Sequence, residues 1–311
     1  MKKGLIIGGV FLLIVIVGII CFGVYKNALN KYSLPEEEPK EVVSHEAIFT
    51  AEDYPKVDAS RGYHPLVDDI AADFMNVDKS TLNYEYTPGR TSEVYHNLID
   101  GKADVIFTVE ADPEDLEYAK KKGVELNVIP VTSAAFIFFV NTENSVNNLT
   151  TKQVRDIYSG KITNWKELGG DDARIIAYQR PKGSGSQTAM ASIVMKDTKL
   201  ADPPQTEIIR EMGEVIDAVA EYDNAKDAIG YSYYYYVQTM YKKDTIKILS
   251  IDGIEPTNET IKAQEYPFYT NGYIVYRKDE PEDSNVMKWV NSVLSKRGSE
   301  IILNAGYVPY N

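Results

Sequence analysis

The chain has one cysteine and three histidines in 311 residues, and its basic residues are outnumbered by acidic ones. Each shortage removes a class of function. A single cysteine, Cys21, permits no intrachain disulfide and no thiolate metal cluster, and it leaves the chain beyond the N-terminal segment without a cysteine nucleophile. The histidines, His45, His64 and His96, are scattered, and no His-Glu-x-x-His pair occurs. The chain also lacks a Gly-x-Ser-x-Gly elbow and a phosphate-binding Gly-Lys-Ser/Thr motif. Asp68-Asp69 and Asp171-Asp172 are isolated acidic pairs, so no metal site is expected and no cofactor is implied. Lys and Arg total 33 against 46 Asp and Glu, a net charge of -13. Nucleic acid is therefore excluded as a partner, because binding it requires a basic footprint that neutralises phosphates. Any anion site must be local and built against the field of the whole protein. No solenoid-length repeat is present.

Gly4 to Val24 is an unbroken apolar or small-residue run of about twenty residues, enough to cross a bilayer as a helix. Lys2 and Lys3 precede it and favour a cytoplasmic N-terminus with the remaining chain outside. The run is longer than the apolar core of a cleaved signal peptide and has no small-residue cleavage site. Gly18-Ile19-Ile20 before Cys21 fits lipoprotein processing poorly, which favours an uncleaved anchor over a lipidated Cys21. The expected organisation is a transmembrane anchor or uncleaved signal over 1–25 and a flexible, charged and proline-punctuated tether over 26–45.

From Ala47 onward, strands and helices alternate, the pattern of an α/β fold with a largely parallel sheet. Three units share one form: strand, small polar loop, helix. The first runs from Lys56-Val-Asp58 through Ser60-Arg61-Gly62 into a helix from Pro65, with Leu66, Ile70 and Phe74 on one face. In the second, a strand over 82–86 leads through a turn containing Arg90-Thr91 into a helix through Val94, Leu98 and Ile99, which Asp100-Gly101 stops. A strand over 103–108 follows and runs into Val109-Glu110. Further along, 134–140 reads as a buried strand, and Thr150 with Gln153 forms a capping box for the next helix. A strand over 271–276 and an amphipathic helix over 286–294 come near the end.

The third unit carries the most chemistry. A short strand over 174–178 meets Arg180-Pro-Lys-Gly-Ser-Gly-Ser-Gln-Thr188, which opens a helix. Ser184 and Gln187 have capping-box spacing and predict a helix start at Ser184. Hydroxyls and a guanidinium beside free first-turn amides describe an anion site, although a well-capped helix after a glycine turn would look the same.

Residues 148–170, from Asn148-Leu-Thr-Thr-Lys-Gln to Trp165-Lys-Glu-Leu-Gly-Gly170, resemble a segment of the phosphate-binding proteins of ABC transporters. Arg180 with Ser184-Gly185-Ser186 is similar to that family's phosphate loop in spacing, Ala228-Ile-Gly-Tyr231 to its following strand, and Ala305-Gly-Tyr-Val-Pro309 to its C-terminal end. The resemblance covers about residues 50 to 311. It implies a two-lobed periplasmic-binding-protein type II fold, with lobe 1 over 46–138 plus 272–311 and lobe 2 over 139–271. It also implies a non-enzymatic receptor that closes on an inorganic oxyanion, above all phosphate, and passes it to an ABC permease outside the cytoplasm.

The contacts implied are Arg180, Ser184, Gly185 and Ser186 from one lobe and Ser60, Arg61, Gly62, Arg90 and Thr91 from the other. Glu110 falls close to a carboxylate that accepts the proton of the bound phosphate. Three positions depart from the family pattern: Arg61 replaces a small hydroxyl residue, Arg90 falls in a Gly/Ser turn, and Glu110 replaces a shorter Asp. Two extra guanidiniums facing the cleft would favour a larger phosphorylated or polycarboxylate ligand. A membrane-tethered sensor or binding domain without transport is therefore a second reading. Hydrolysis by Ser184 or Ser186 is a third, and it requires a base within reach, for which His64 and His96 are the candidates. The tyrosine run 231–236 reads as packing between strand and helix, some rings inward and some at the cleft rim, rather than as a stacking platform.

Overall fold

The computed structural model describes residues 46–82 and 90–310. The expected anchor, the tether, and most of the strand and turn expected before Arg90 lie outside the described residues. Among the described residues no helix is long and apolar enough to cross a membrane.

The helical spacing of Leu66, Ile70 and Phe74 turns one face of α1 (His64–Met75) fully inward, with Pro65 in its first turn. Before it comes β1 (Val57–Ala59); after it come α2 (Thr91–Ile99), β2 (Val105–Thr108) and α3 (Pro113–Lys122). Gly101 takes φ +73° after α2, the left-handed stop that its place beyond Asp100 predicts. The chain then enters β3 (Leu126–Asn141), a 16-residue strand, followed by β4 (Asn148–Leu149) and α4 (Thr151–Tyr158). The Thr150–Gln153 capping box ahead of α4 is formed in both directions. Next come β5 (Ile176–Ala177), α5 (Gly185–Ala189) continued by a π-helical stretch over Met190–Met195, α6 (Met212–Glu221) and β6 (Ala228–Tyr233). Strands β7 (Ile246–Ile248) and β8 (Ser250–Ile251), helix α7 (Asn258–Lys262), β9 (Tyr269–Arg277), α8 (Asn285–Val293), α9 (Lys296–Asn304) and β10 (Val308–Pro309) complete the described chain.

The fold is mixed α/β. Its main sheet has the order β1-β2-β9-β3-β6-β5, with β10 and β7 also paired to β3. The expectation of a largely parallel sheet is corrected: β1–β2, β5–β6 and the separate β4–β8 pair are parallel, whereas every pairing of β3 and β9 is antiparallel. The reason lies in β3. Its first part, Leu126–Ala135, pairs with β9, and Phe136–Val140 pairs with β6, so one strand passes through both ends of the sheet.

Side chains on either side of that switch enter different cores. One core gathers Leu66, Phe74, Phe107, Ile274 and Trp289, with a satellite around Tyr95, Leu98 and Val275. The other gathers Phe136, Phe138, Phe139, Trp165, Ile216 and Tyr231. Trp165 and Trp289 are both fully buried, and truncating either to Ala would cost about 3–5 kcal/mol.

Candidate functional site

Between β5 and α5 the chain is held by a polar network that fixes one side chain in place. The backbone N–H of Arg180 donates to Gln187 Oε1 at 3.1 Å and to the Tyr231 hydroxyl at 2.9 Å, and that hydroxyl in turn donates to Gln187 Oε1. Gln187 Nε2 donates to Gln179 Oε1 at 3.2 Å. Gln187 is therefore committed to the Arg180 turn, and the expected Ser184–Gln187 capping box does not form. Ser184 is the N-cap residue of α5, but its hydroxyl donates to the Pro181 carbonyl at 2.8 Å. The first-turn amides of Gly185 and Ser186 lack intrahelical partners by construction.

This network leaves the Arg180 guanidinium at the base of a cavity, only 8% exposed, with Nε and Nη1 making no hydrogen bond. Burial pulls its pKa below the ordinary guanidinium value, opposed by Tyr231 and Glu211, and the group stays charged. A buried cation without a partner costs several kcal/mol, a cost that an anion delivered into the cavity offsets. Ser186 is fully buried and its hydroxyl is also unpartnered, although it is not among the residues lining the cavity.

The cavity has a volume of about 420 Å³. Ser60, Arg61, Gly62, Arg90 and Thr91 line it on one side, and Arg180, Ser184 and Gly185 on the other. The Ser60 hydroxyl is tied to Thr108 Oγ1 at 2.7 Å and lies 3.3 Å from Thr91 Oγ1. Gly185 meets this group closely: a Cβ there would lie 2.5 Å from Val109 Cγ2 and 2.7 Å from Thr91 Oγ1. Arg61 is paired with Glu211, and Arg90 Nη1 donates to the Lys182 carbonyl at 3.1 Å. Outside the cavity the same two sides are stitched by Ser192 to Glu110 at 2.8 Å, Thr188 to Asp112 at 3.2 Å, and an ion pair between Lys182 and Glu114.

Glu110 requires a correction. It does not line the cavity; it is exposed and accepts the Ser192 hydrogen bond. Its neighbour Val109 lines the cavity instead, where the chain bends just beyond the end of β2. Among the described residues the lining carboxylates are Glu93 and Glu211, which no sequence motif marks. Arg210 and Asn258 were equally unmarked, whereas Tyr307 lies in the Ala305–Pro309 segment already singled out. Of the tyrosine run, Tyr231 packs in the core as expected, while residues 233–236 line the cavity.

The histidines are engaged elsewhere. His64 Nε2 lies 2.9 Å from the Ala59 carbonyl, and His96 Nε2 lies 3.4 Å from Asp115 while its ring packs on Tyr118. Among the described residues no group of three or more His, Cys, Asp or Glu is placed to hold a metal ion.

The family model described as the PBP superfamily domain matches residues 50–297. The chain belongs to the PBP superfamily. Within it, a curated phosphate-binding protein PstS of Borreliella burgdorferi is 26% identical over 244 residues, spanning 75% of this chain and 85% of that protein. A Clostridium perfringens protein crystallised with bound phosphate superposes with a TM-score of 0.67 at 26% identity, covering 82% of this chain and 98% of that one. An ABC-type phosphate transport receptor from Vibrio cholerae shares the fold, with a TM-score of 0.62 at 20% identity over 81% and 98% of the two chains.

Proposed function

We propose that this chain is an extracytoplasmic solute-binding protein that captures phosphate in the cavity at Arg180 and delivers it to an ABC permease. The observation that carries the reading is the buried, unpartnered guanidinium of Arg180. A dehydrated oxyanion there gains charge-assisted hydrogen bonds from Nε and Nη1, and the first-turn amides of α5 add donors beside them. Ser60, Thr91 and Ser184 supply hydroxyls that can reorient toward the anion. No covalent step is involved: affinity comes from satisfying each ligand oxygen with a fixed donor.

The acceptor role expected of Glu110 passes in this account to Glu211, which lines the cavity and whose charge is felt at Arg180. A carboxylate in that position accepts a hydrogen bond from protonated phosphate and repels fully ionised sulfate. The lobes are proposed as 46–138 with 272–311 and 139–271, supported by the change of core along β3. The apolar run Gly4 to Val24 is proposed as the membrane anchor, on its length and lack of charge.

Calorimetric titration of the protein with phosphate, sulfate and molybdate tests the reading. Phosphate binding with sulfate excluded is expected; silence toward all three anions rejects it.

A further inference from the structure

The cavity is larger than inorganic phosphate requires. Its volume of about 420 Å³ falls within the range of roughly 300–1,000 Å³ typical of pockets that enclose small organic ligands. Its two ends also differ in chemistry. At one end Ser60, Thr91 and Gly185 converge within contact distance of one another, and Arg180 completes the anion-binding set. The other end is built on the pairing of β3 with β10, where Ser133 stands opposite Val308, with Ala134, Tyr234, Asn258 and Ile261 completing the wall. Among the described residues that end offers aliphatic surface, an aromatic ring and a few hydroxyl or amide groups, and no cation. Among the described residues, Arg61, Arg90, Arg180 and Arg210 line the cavity against Glu93 and Glu211, so this lining carries more cations than carboxylates in a protein of net charge -13.

We propose that the cavity also takes a small phosphate monoester, with its phosphoryl group at Arg180 and a short hydroxylated organic part between Ala134, Asn258 and Val308. The proposal rests on the phosphate-binding reading above and extends it to the substrate class. A monoester keeps the charge that Arg180 calls for, since its second ionisation falls near pH 6. Its organic part fills the far end, which a bare tetrahedral anion leaves to water. The wall mixes aliphatic and polar groups, which suits a polyol or hydroxy-acid moiety and not a long acyl chain.

The test is calorimetric titration of the full-length protein in detergent with inorganic phosphate, glycerol 3-phosphate and glycerol. Both phosphates are expected to bind and to compete for one site, while glycerol does not bind. Asn258→Trp places bulk at the far end from an exposed position on α7. It is expected to weaken glycerol 3-phosphate about tenfold while leaving phosphate within about twofold. Val308→Phe, which adds volume from the β10 side, is expected to do the same and serves if the first variant does not fold. Phosphate binding without competition from the ester overturns the proposal and leaves the proposed function standing. Equal loss of both ligands in a folded variant also overturns it. Silence toward both phosphates in the unmodified protein removes the phosphate-binding reading itself, and this proposal with it.

Discussion

The two walls of the cavity are finished in different ways. On the Ser60–Thr91 wall the polar groups are already partnered: Ser60 with Thr108, Arg61 with Glu211, and Arg90 with the Lys182 carbonyl. On the Arg180–Gly185 wall the backbone is held tightly by Gln187 and Tyr231, yet the buried Arg180 guanidinium is left without a partner. The groups of the first wall already have their hydrogen bonds and gain little from a ligand. The buried cation of the other wall has no such partner, and an anion placed beside it stabilises it. Charge recognition therefore rests on the Arg180 wall, and in the proposed account Glu211, from the same stretch of chain, adds discrimination.

The largest expected effect comes from removing the charge. Arg180→Ala should lower phosphate affinity about a hundredfold or more, as expected for loss of a buried charge-assisted contact. The turn should survive, since the hydrogen bonds that hold it use the Arg180 backbone N–H. Thermal unfolding without ligand should be unchanged or shifted upward, because the variant no longer buries an unpartnered cation. A large drop in melting temperature would instead make Arg180 a structural residue.

Gly185→Val should come next. Its Cβ would collide with Val109 and Thr91, forcing the walls apart, so phosphate affinity should fall about tenfold with some loss of stability. Titration alongside thermal melting separates the two effects.

Glu211→Gln should sharpen the division of labour. The Arg61–Glu211 pair is half-exposed, with side chains 42% and 49% accessible, so stability should change by less than about 1 kcal/mol. The phosphate-over-sulfate preference should narrow about fivefold, because an amide no longer repels sulfate. An unchanged preference would return the acceptor role to another group.

The smallest effect concerns His64, at the base of the first wall. Burial lowers its pKa, opposed by the hydrogen bond to the Ala59 carbonyl. The unfolded chain therefore takes up this proton at a higher pH than the folded one. The resulting stability is whole above about pH 6.5 and is lost as pH falls through the lowered folded value. Acid titration of His64→Gln should show a transition shifted slightly to lower pH.

Much of this organisation was legible in the residues. The spacing of Leu66, Ile70 and Phe74, the Thr150–Gln153 box and the Asp100-Gly101 stop are local signals, and local signals survive folding. The segments carrying Ser60–Gly62, Arg90–Thr91 and Arg180–Gly185 were legible because a small polar loop between a strand and a helix leaves a recognisable pattern, and all three reach one cavity. The antiparallel course of β3 and β9 was not legible, since their pairing partners are distant in sequence. Ser184 and Gln187 had the right spacing for a cap, yet Tyr231 and the Arg180 amide compete for the glutamine. Glu110 was misplaced because the chain bends at Val109 just beyond β2, a change of direction that no residue pattern marks.

The central claim, that Arg180 holds the ligand, is tested most directly by a crystal structure of the protein grown with phosphate. The account predicts a phosphate oxygen within hydrogen-bond distance of Arg180 Nε or Nη1, inside the cavity bounded by Ser60, Thr91 and Gly185. Phosphate bound elsewhere, with the Arg180 guanidinium still bare, would contradict it.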